Sequence, residues 1–201
     1  TEGRPALYDA TRPGSLSELG GQFAAGMLRH AAALSALTAP SPISAARLAP
    51  HHWGAGAVCL GLQNREALLR IPPLVPTEDS EDPARALRLE YRAADAAANP
   101  YLALGAVLRA GLEGVRAQLD QPPLLERDPA TLDASEARRF GVGELPATLE
   151  GALAALAADE RARAWLSPLM YEAYLAVKRS EVQAATGADP AELCARYAQI
   201  Y

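Results

Sequence analysis

Three short strand candidates, residues 57–62, 67–71 and 87–92, sit between long stretches with helical spacing. Any fold for this chain has to seat a few strands among helices. Ahead of them, residues 15–38 read as one helix. Ser15 followed by Glu18 forms a capping-box pattern, Leu16, Leu19, Phe23, Met27 and Leu34 recur at roughly helical spacing, and Pro40 and Pro42 end the run. Between the second and third strand candidates, residues 72–85 are rich in proline and acid and read as an exposed loop.

The rest is mostly helical. Asn99 with Pro100 supplies an N-cap and a first-turn proline, and the helix carries Leu102, Leu108, Leu112 and Val115 before fading near Asp120. Residues 121–140 form a polar connection with a short helix after Asp133. Residues 148–158 are helical, Ser167 with Pro168 opens another helix to about Ala185, and Asp189, Pro190 and Glu192 open the last. Nothing from Thr148 onward suggests chemistry. Tyr171, Tyr174, Tyr197 and Tyr201 fit packed helix positions or an interaction face.

With 201 residues, half of them apolar, the chain can form one domain with a real core. No apolar run reaches membrane-spanning length and residues 1–14 lack a signal-peptide pattern, so a soluble, cytoplasmic protein without membrane contact is expected. A formal charge of −5 argues against nucleic acid as a partner. Cys59 and Cys194 lie outside any metal-type spacing, and Cys59 fits a buried thiol. Thr1, where methionine would open a nascent chain, raises the expectation of a fragment. Lys178 is the only lysine; a GC-rich genome explains arginine use in general but not where certain arginines sit.

Those arginines surround the pentapeptide Arg88-Leu89-Glu90-Tyr91-Arg92. Strand side chains alternate, so Arg88, Glu90 and Arg92 share one face and Leu89 and Tyr91 the other. A strand with one wet face gives this pattern, and so does a site for anions and metal. Two guanidiniums can hold phosphate or carboxylate by paired hydrogen bonds, and the carboxylate between them can hold a hard cation. Arg65, Arg70 and Arg47 lie near neighbouring strand ends, where unpaired guanidiniums would repel one another without anions.

The same residues carry a family resemblance. Residues 64–72, Asn-Arg-Glu-Ala-Leu-Leu-Arg-Ile-Pro, resemble the glutamine synthetase stretch "NRSASIRIP", and residues 88–92 look like its "RIEVR". Ala98-Asn99-Pro100-Tyr101-Leu102-Ala103 followed by Ala110-Gly111-Leu112-Glu113-Gly114 resembles "ANPYLAFAALLMAGLDGI". Residues 23–38 resemble "FIAGLLKHAPALTAFT", Arg47-Leu48-Ala49-Pro50 resembles "KRLVPG", and residues 145–157 and 174–179 are similar to "VPGSLEEALNAL" and "AYIALRREE". Order and spacing agree across nearly the whole chain.

The resemblance implies an α+β fold: a few mainly antiparallel strands packed against several helices, with a helical C-terminal region. Residues 1–201 would form one partial catalytic domain, with the site-bearing helices and strands in 1–120 and mainly helices in 121–201. It implies an ATP-dependent ligase that activates glutamate as γ-glutamyl phosphate and passes it to ammonia or an amine, with Mg²⁺ or Mn²⁺. Arg47 and Arg92 would bind glutamate, Arg65 would act catalytically beside the transferred phosphoryl group, Arg65, Arg70 and Arg88 would bind ATP phosphates, and Glu90 would ligate metal. The chemistry is coherent, because cations offset the charge that builds during phosphoryl transfer.

Two departures follow. The family's "GSGMHxHxS" ATP loop and most of its metal-binding glutamates would lie upstream, in a missing N-terminal part of the same protein, so the chain alone is expected to be inactive. The family's flap, "PGYEAPV", reads Pro50-His51-His52-Trp53-Gly54-Ala55-Gly56 here, with Trp53 in place of the carboxylate. An aromatic there can pack on or attract a larger amine, as in diverged polyamine or γ-glutamyl-amine ligases. His51 or His52 is either a replacement base or an exposed loop residue. The tyrosine adenylylated in some members is not evident in residues 122–130. A partial sheet would leave edges open, so pairing with another copy is expected, without carrying over the family's ring. A non-catalytic scaffold is the alternative, disfavoured by the retained arginine cluster.

Overall fold

The computed structural model describes residues 5–48, 55–74 and 82–200. After a 3-10 turn at Pro13–Ser15, helix α1 (Glu18–Arg29) starts from Ser17, whose Oγ accepts from Gly20 N at 3.0 Å and donates to Ala6 O at 2.7 Å. The cap is therefore Ser17 and not Ser15, because only Ser17 also ties down the incoming chain. The expected single helix is two: α2 (Ala31–Thr38) follows after a break at His30. The His30 Nδ1 lies 2.5 Å from Asp159 Oδ2, and its ring packs edge-on against Trp165. A partner 129 residues away fixes that break.

Helix α3 (Ser44–Arg47) is a single turn before β1 (Ala57–Leu62) and β2 (Ala67–Ile71). Helix α4 (Pro83–Ala86) takes part of the expected loop, capped by Asp82, and β3 is only Glu90–Tyr91. Helix α5 (Pro100–Arg116) starts at Asn99, whose side chain accepts from Tyr101 N and Leu102 N. Then come β4 (Leu124–Leu125), a 3-10 turn at Pro129–Thr131, and α6 (Ala134–Arg139) with a full Asp133/Glu136 capping box. The chain continues with β5 (Gly143–Glu144), α7 (Leu149–Ala158), α8 (Glu160–Arg163), α9 (Pro168–Ala185) and α10 (Pro190–Ile200).

The fold is α+β, with one small mixed sheet in the order β3-β2-β1, beyond which β4 and β5 both pair with β1. Two pairings are antiparallel, β2 with β3 and β1 with β5; two are parallel, β1 with β2 and β1 with β4. The parallel β1–β2 pair explains the departure from a mainly antiparallel sheet. Only residues 63–66 join these strands, so the link folds back over β1. Gln63 starts the return at φ 57°, and its N–H bonds Ile71 O at 2.8 Å. Gly61 permits it: a Cβ there would lie 2.5 Å from Ala67 Cβ and 2.8 Å from Asn64 Cβ. Outer strands of two residues leave little edge to pair, so the expected edge hazard is small in these residues.

The core lies between one sheet face and the helices, with Leu34, Leu37, Leu60, Leu69, Ile71 and Leu156 almost fully buried. Each such side chain contributes about 1.5–3 kcal/mol. Helices α1 and α5 touch backbone to backbone, since a Cβ on Gly114 would come within 2.1 Å of Gln22 O and 2.5 Å of Gly26 N. Tyr171 and Tyr174 pack against the core, Tyr174 Oη donating to Ala36 O at 2.5 Å, and Tyr197 is buried. Tyr201 lies outside the described residues. Among the described residues no helix is long and apolar enough to cross a membrane.

Candidate active site

The charged strand behaves as its alternation requires. Arg70 and Glu90 are direct cross-strand partners, as are Leu69 and Tyr91 one residue along, so charge and core lie on opposite faces. Arg70 Nη1 donates to Glu90 Oε2 at 3.1 Å. Arg88 Nε stands 3.7 Å from Glu90 Oε1, and Arg92 Nη1 3.9 Å from Oε2. One carboxylate thus faces three guanidiniums, leaving a net positive face suited to anions. Arg70 and Arg92 are mostly buried, whereas Arg88 is open. Burial lowers the Arg92 pKa, neighbouring Arg70 lowers it further, and Glu90 works the other way; the group still remains cationic.

On the opposite face, Tyr91 Oη lies 3.0 Å from Thr38 Oγ1. Burial pushes the phenol up to about 12, against the smaller pull of the Thr38 bond and the Arg47 charge. Arg47 arrives at the strand's exit on α3, where its Nη2 donates to Ala93 O at 2.8 Å and Ala94 O at 3.0 Å. Its Nε, and that of Arg70, are buried and have no hydrogen-bond partner among the described residues.

Arg65 rides the return loop between β1 and β2. Asn64, whose role the motif alone did not reveal, holds that loop. Its Nδ2 donates to Leu125 O at 3.3 Å and Arg127 O at 2.8 Å, and its Oδ1 accepts from Glu66 N at 3.0 Å. The signal available in sequence was its place beside Arg65. Arg92 Nε then donates to Arg65 O at 3.1 Å, joining loop to strand. So Arg47, Arg65, Arg70, Arg88, Glu90 and Arg92 are brought around one sheet edge, while His51, His52 and Trp53 lie outside the described residues.

A cleft of about 640 Å³ opens beside this face, not over it: Ala45, Leu48, Glu66, Asp128, Glu144 and Leu145 line it, and the arginines do not. The cleft carries the carboxylates of Glu66, Asp128 and Glu144, while the guanidiniums that could attract an anion lie outside its lining. Among the described residues no group of three or more His, Cys, Asp or Glu could hold a metal.

Known proteins similar to this chain show its family. The profile described as "Glutamine synthetase, catalytic domain" matches residues 1–195. The chain belongs to the glutamine synthetase family. A γ-glutamylpolyamine synthetase of Streptomyces coelicolor is 41% identical over 179 residues, 89% of this chain and 38% of that protein. A glutamine synthetase of Archaeoglobus fulgidus is 40% identical over 167 residues, 83% of this chain and 33% of that protein. A solved structure described as a novel glutamine synthase homologue has TM-score 0.82 and 42% identity, covering 98% of this chain and 42% of that one. The chain therefore spans about two fifths of the length of its glutamine synthetase relatives.

Proposed function

We propose that this chain is part of an ATP-dependent ligase that joins the side-chain carboxylate of glutamate to an amine. The observation that carries the reading is Glu90 faced by Arg70, Arg88 and Arg92, with Arg47 and Arg65 bonded to the same edge. A carboxylate is a poor electrophile, and ATP supplies the missing chemistry by phosphorylating it to an acyl phosphate that an amine displaces.

The residues of this chain divide the work by position. Arg47 and Arg92, both tied to the exit segment and its loop, suit the carboxylates of glutamate. Arg70 and Arg88 suit phosphate oxygens, and Arg65, on the loop tip, suits the transferred phosphoryl group. Fixed guanidiniums in a partly dry site offset developing negative charge without reorganising. Glu90 would give a divalent cation one oxygen ligand. Such a cation takes about six or more, and the described residues do not complete the set, so no step is assigned to it here. The upstream part of the protein would provide the rest, and the 201-residue chain alone would not form amide.

Two points favour an amine larger than ammonia: by the family resemblance Trp53 takes the place of the flap carboxylate, and a γ-glutamylpolyamine synthetase is among the relatives. Identity does not separate the acceptors, since a glutamine synthetase is equally similar. Phosphate release by the full-length protein, with ATP, Mg²⁺ and glutamate, separates them. Faster release with a polyamine or alkylamine than with ammonium supports the reading, and a clear preference for ammonium restores a true glutamine synthetase.

A further inference from the structure

We propose that Asp95 and Ser44 form a clamp that sets Arg47 against the charged strand, and so govern affinity for the amino-acid substrate without touching it. The inference rests on reading Arg47 as a substrate-binding arginine.

Helix α3 cannot hold its own place. It is four residues long, and its N-cap position, Ile43, supplies no side-chain cap; a single turn is unstable alone. Its fixed point is Ser44, buried to 4% exposure, whose Oγ donates to Asp95 Oδ2 across 51 residues. The same Oγ accepts from Ser41 N at 3.0 Å and lies 2.8 Å from Ser41 Oγ, which is also buried. Asp95 is itself held from two sides. Its N–H bonds Thr38 O at 2.9 Å, at the end of α2, and its Oδ1 accepts from Ala97 N at 2.9 Å.

Residues 93–95 therefore grip α3 at both ends. The carbonyls of Ala93 and Ala94 take the Arg47 guanidinium, and the Asp95 carboxylate takes the hydroxyl three residues earlier. Because Arg92 directly precedes this segment, the clamp fixes the spacing between Arg47 and Arg92. The Arg47 bonds to carbonyls use Nη2, so this one nitrogen anchors the guanidinium to the segment. Removing the carboxylate would leave a one-turn helix held by those two bonds, its local bonds to Ser41 and the packing of Leu48, and a misplacement near 1 Å is enough to lose substrate alignment. Asp95 and Ser44 are positioning residues in this account.

The test uses the full-length protein, with whichever of ammonium or a polyamine supports turnover. Asp95→Ala is expected to raise the KM for glutamate about tenfold or more, as loss of a charge-assisted hydrogen bond would, and to leave the KM for ATP within about twofold. Ser44→Ala, the milder variant, moves the same way by less and carries the test if the first variant does not fold. Asp95→Asn keeps one acceptor oxygen and turns an NH2 donor toward the other partner, so it recovers only part of the affinity and falls between wild type and Asp95→Ala. Equal rises in both KM values, or no rise for either variant while Arg47→Ala raises the glutamate KM, overturn the clamp. An unchanged glutamate KM in Arg47→Ala instead overturns the reading of Arg47.

Discussion

Arg92 Nε donates to the Arg65 carbonyl at 3.1 Å, so the strand that carries Glu90 also holds the loop that carries Arg65. Lysine at 92 keeps the charge but cannot offer the planar fork that reaches Arg65 and Glu90 together. Arg92→Lys is expected to cost about 1 kcal/mol in urea unfolding, and to lower turnover of the full-length protein by roughly tenfold or more as the loop loses its alignment. Unchanged turnover with unchanged stability would remove Arg92 from the site.

Gly61 and Gly105 make a matched pair. Alanine at 61 meets Ala67 and Asn64 side-chain carbons inside 3 Å, whereas a Cβ at 105 meets nothing within 4 Å. Gly61→Ala should destabilise by about 1–3 kcal/mol through overpacking, and Gly105→Ala, inside α5, should stabilise by about 0.5–1 kcal/mol. Urea midpoints of the two variants give opposite signs if the return loop packs on β1 as described.

Asp159 links α7 and α8 to the break at His30. Burial raises its pKa, but the His30 hydrogen bond and the N–H groups of Ala162 and Arg161 outweigh this and hold it below the ordinary carboxylate value. A carboxyl depressed in the folded state contributes stability above its unfolded pKa, about 4, and loses it as pH falls through the folded value. Unfolding free energy should therefore drop below about pH 4, and Asp159→Asn should flatten that part of the profile. A variant with the same acid slope as the wild type would contradict the assignment.

The two thiols should differ sharply. Cys59 is 1% exposed, and burial pushes its thiol up to about 11, slightly offset by a backbone hydrogen bond to Leu68; Cys194 is free and exposed. Since the thiolate is the nucleophile, a thiol reagent near pH 8 should label Cys194 quickly and Cys59 only on unfolding. Rapid native labelling of both would show that β1 is not buried.

Local signals were legible in the sequence, and distant partners were not. The caps at Asn99, Ser167 and Asp189 each act within one helical turn, and all three stand where expected. Strands β1 and β2 keep their expected limits, and the alternation of residues 88–92 gives the observed faces. The break at His30 depends on Asp159, and the choice of Ser17 over Ser15 depends on Ala6 O. Strand β3 is short because only Glu90 and Tyr91 find ladder partners on β2, which a sequence does not display. The parallel return of β2 depends on empty space at Gly61, which a sequence does not display. Of the site, the arginines and Glu90 were legible through the family pattern; the bonds that hold them, from Asn64 and Asp95, span 61 and 51 residues.

If the arginine-lined edge supports phosphoryl transfer to glutamate as proposed, Arg65 should be needed for it. Glutamate-dependent phosphate release by the full-length protein tests it directly, comparing Arg65→Ala with Arg138→Ala, an exposed arginine at the end of α6. Loss of one group that stabilises transition-state charge should slow Arg65→Ala by roughly 100-fold or more, with Arg138→Ala within about twofold of wild type, as surface changes generally are. Wild-type release by Arg65→Ala, or no glutamate-dependent release by the wild type itself, would contradict the claim.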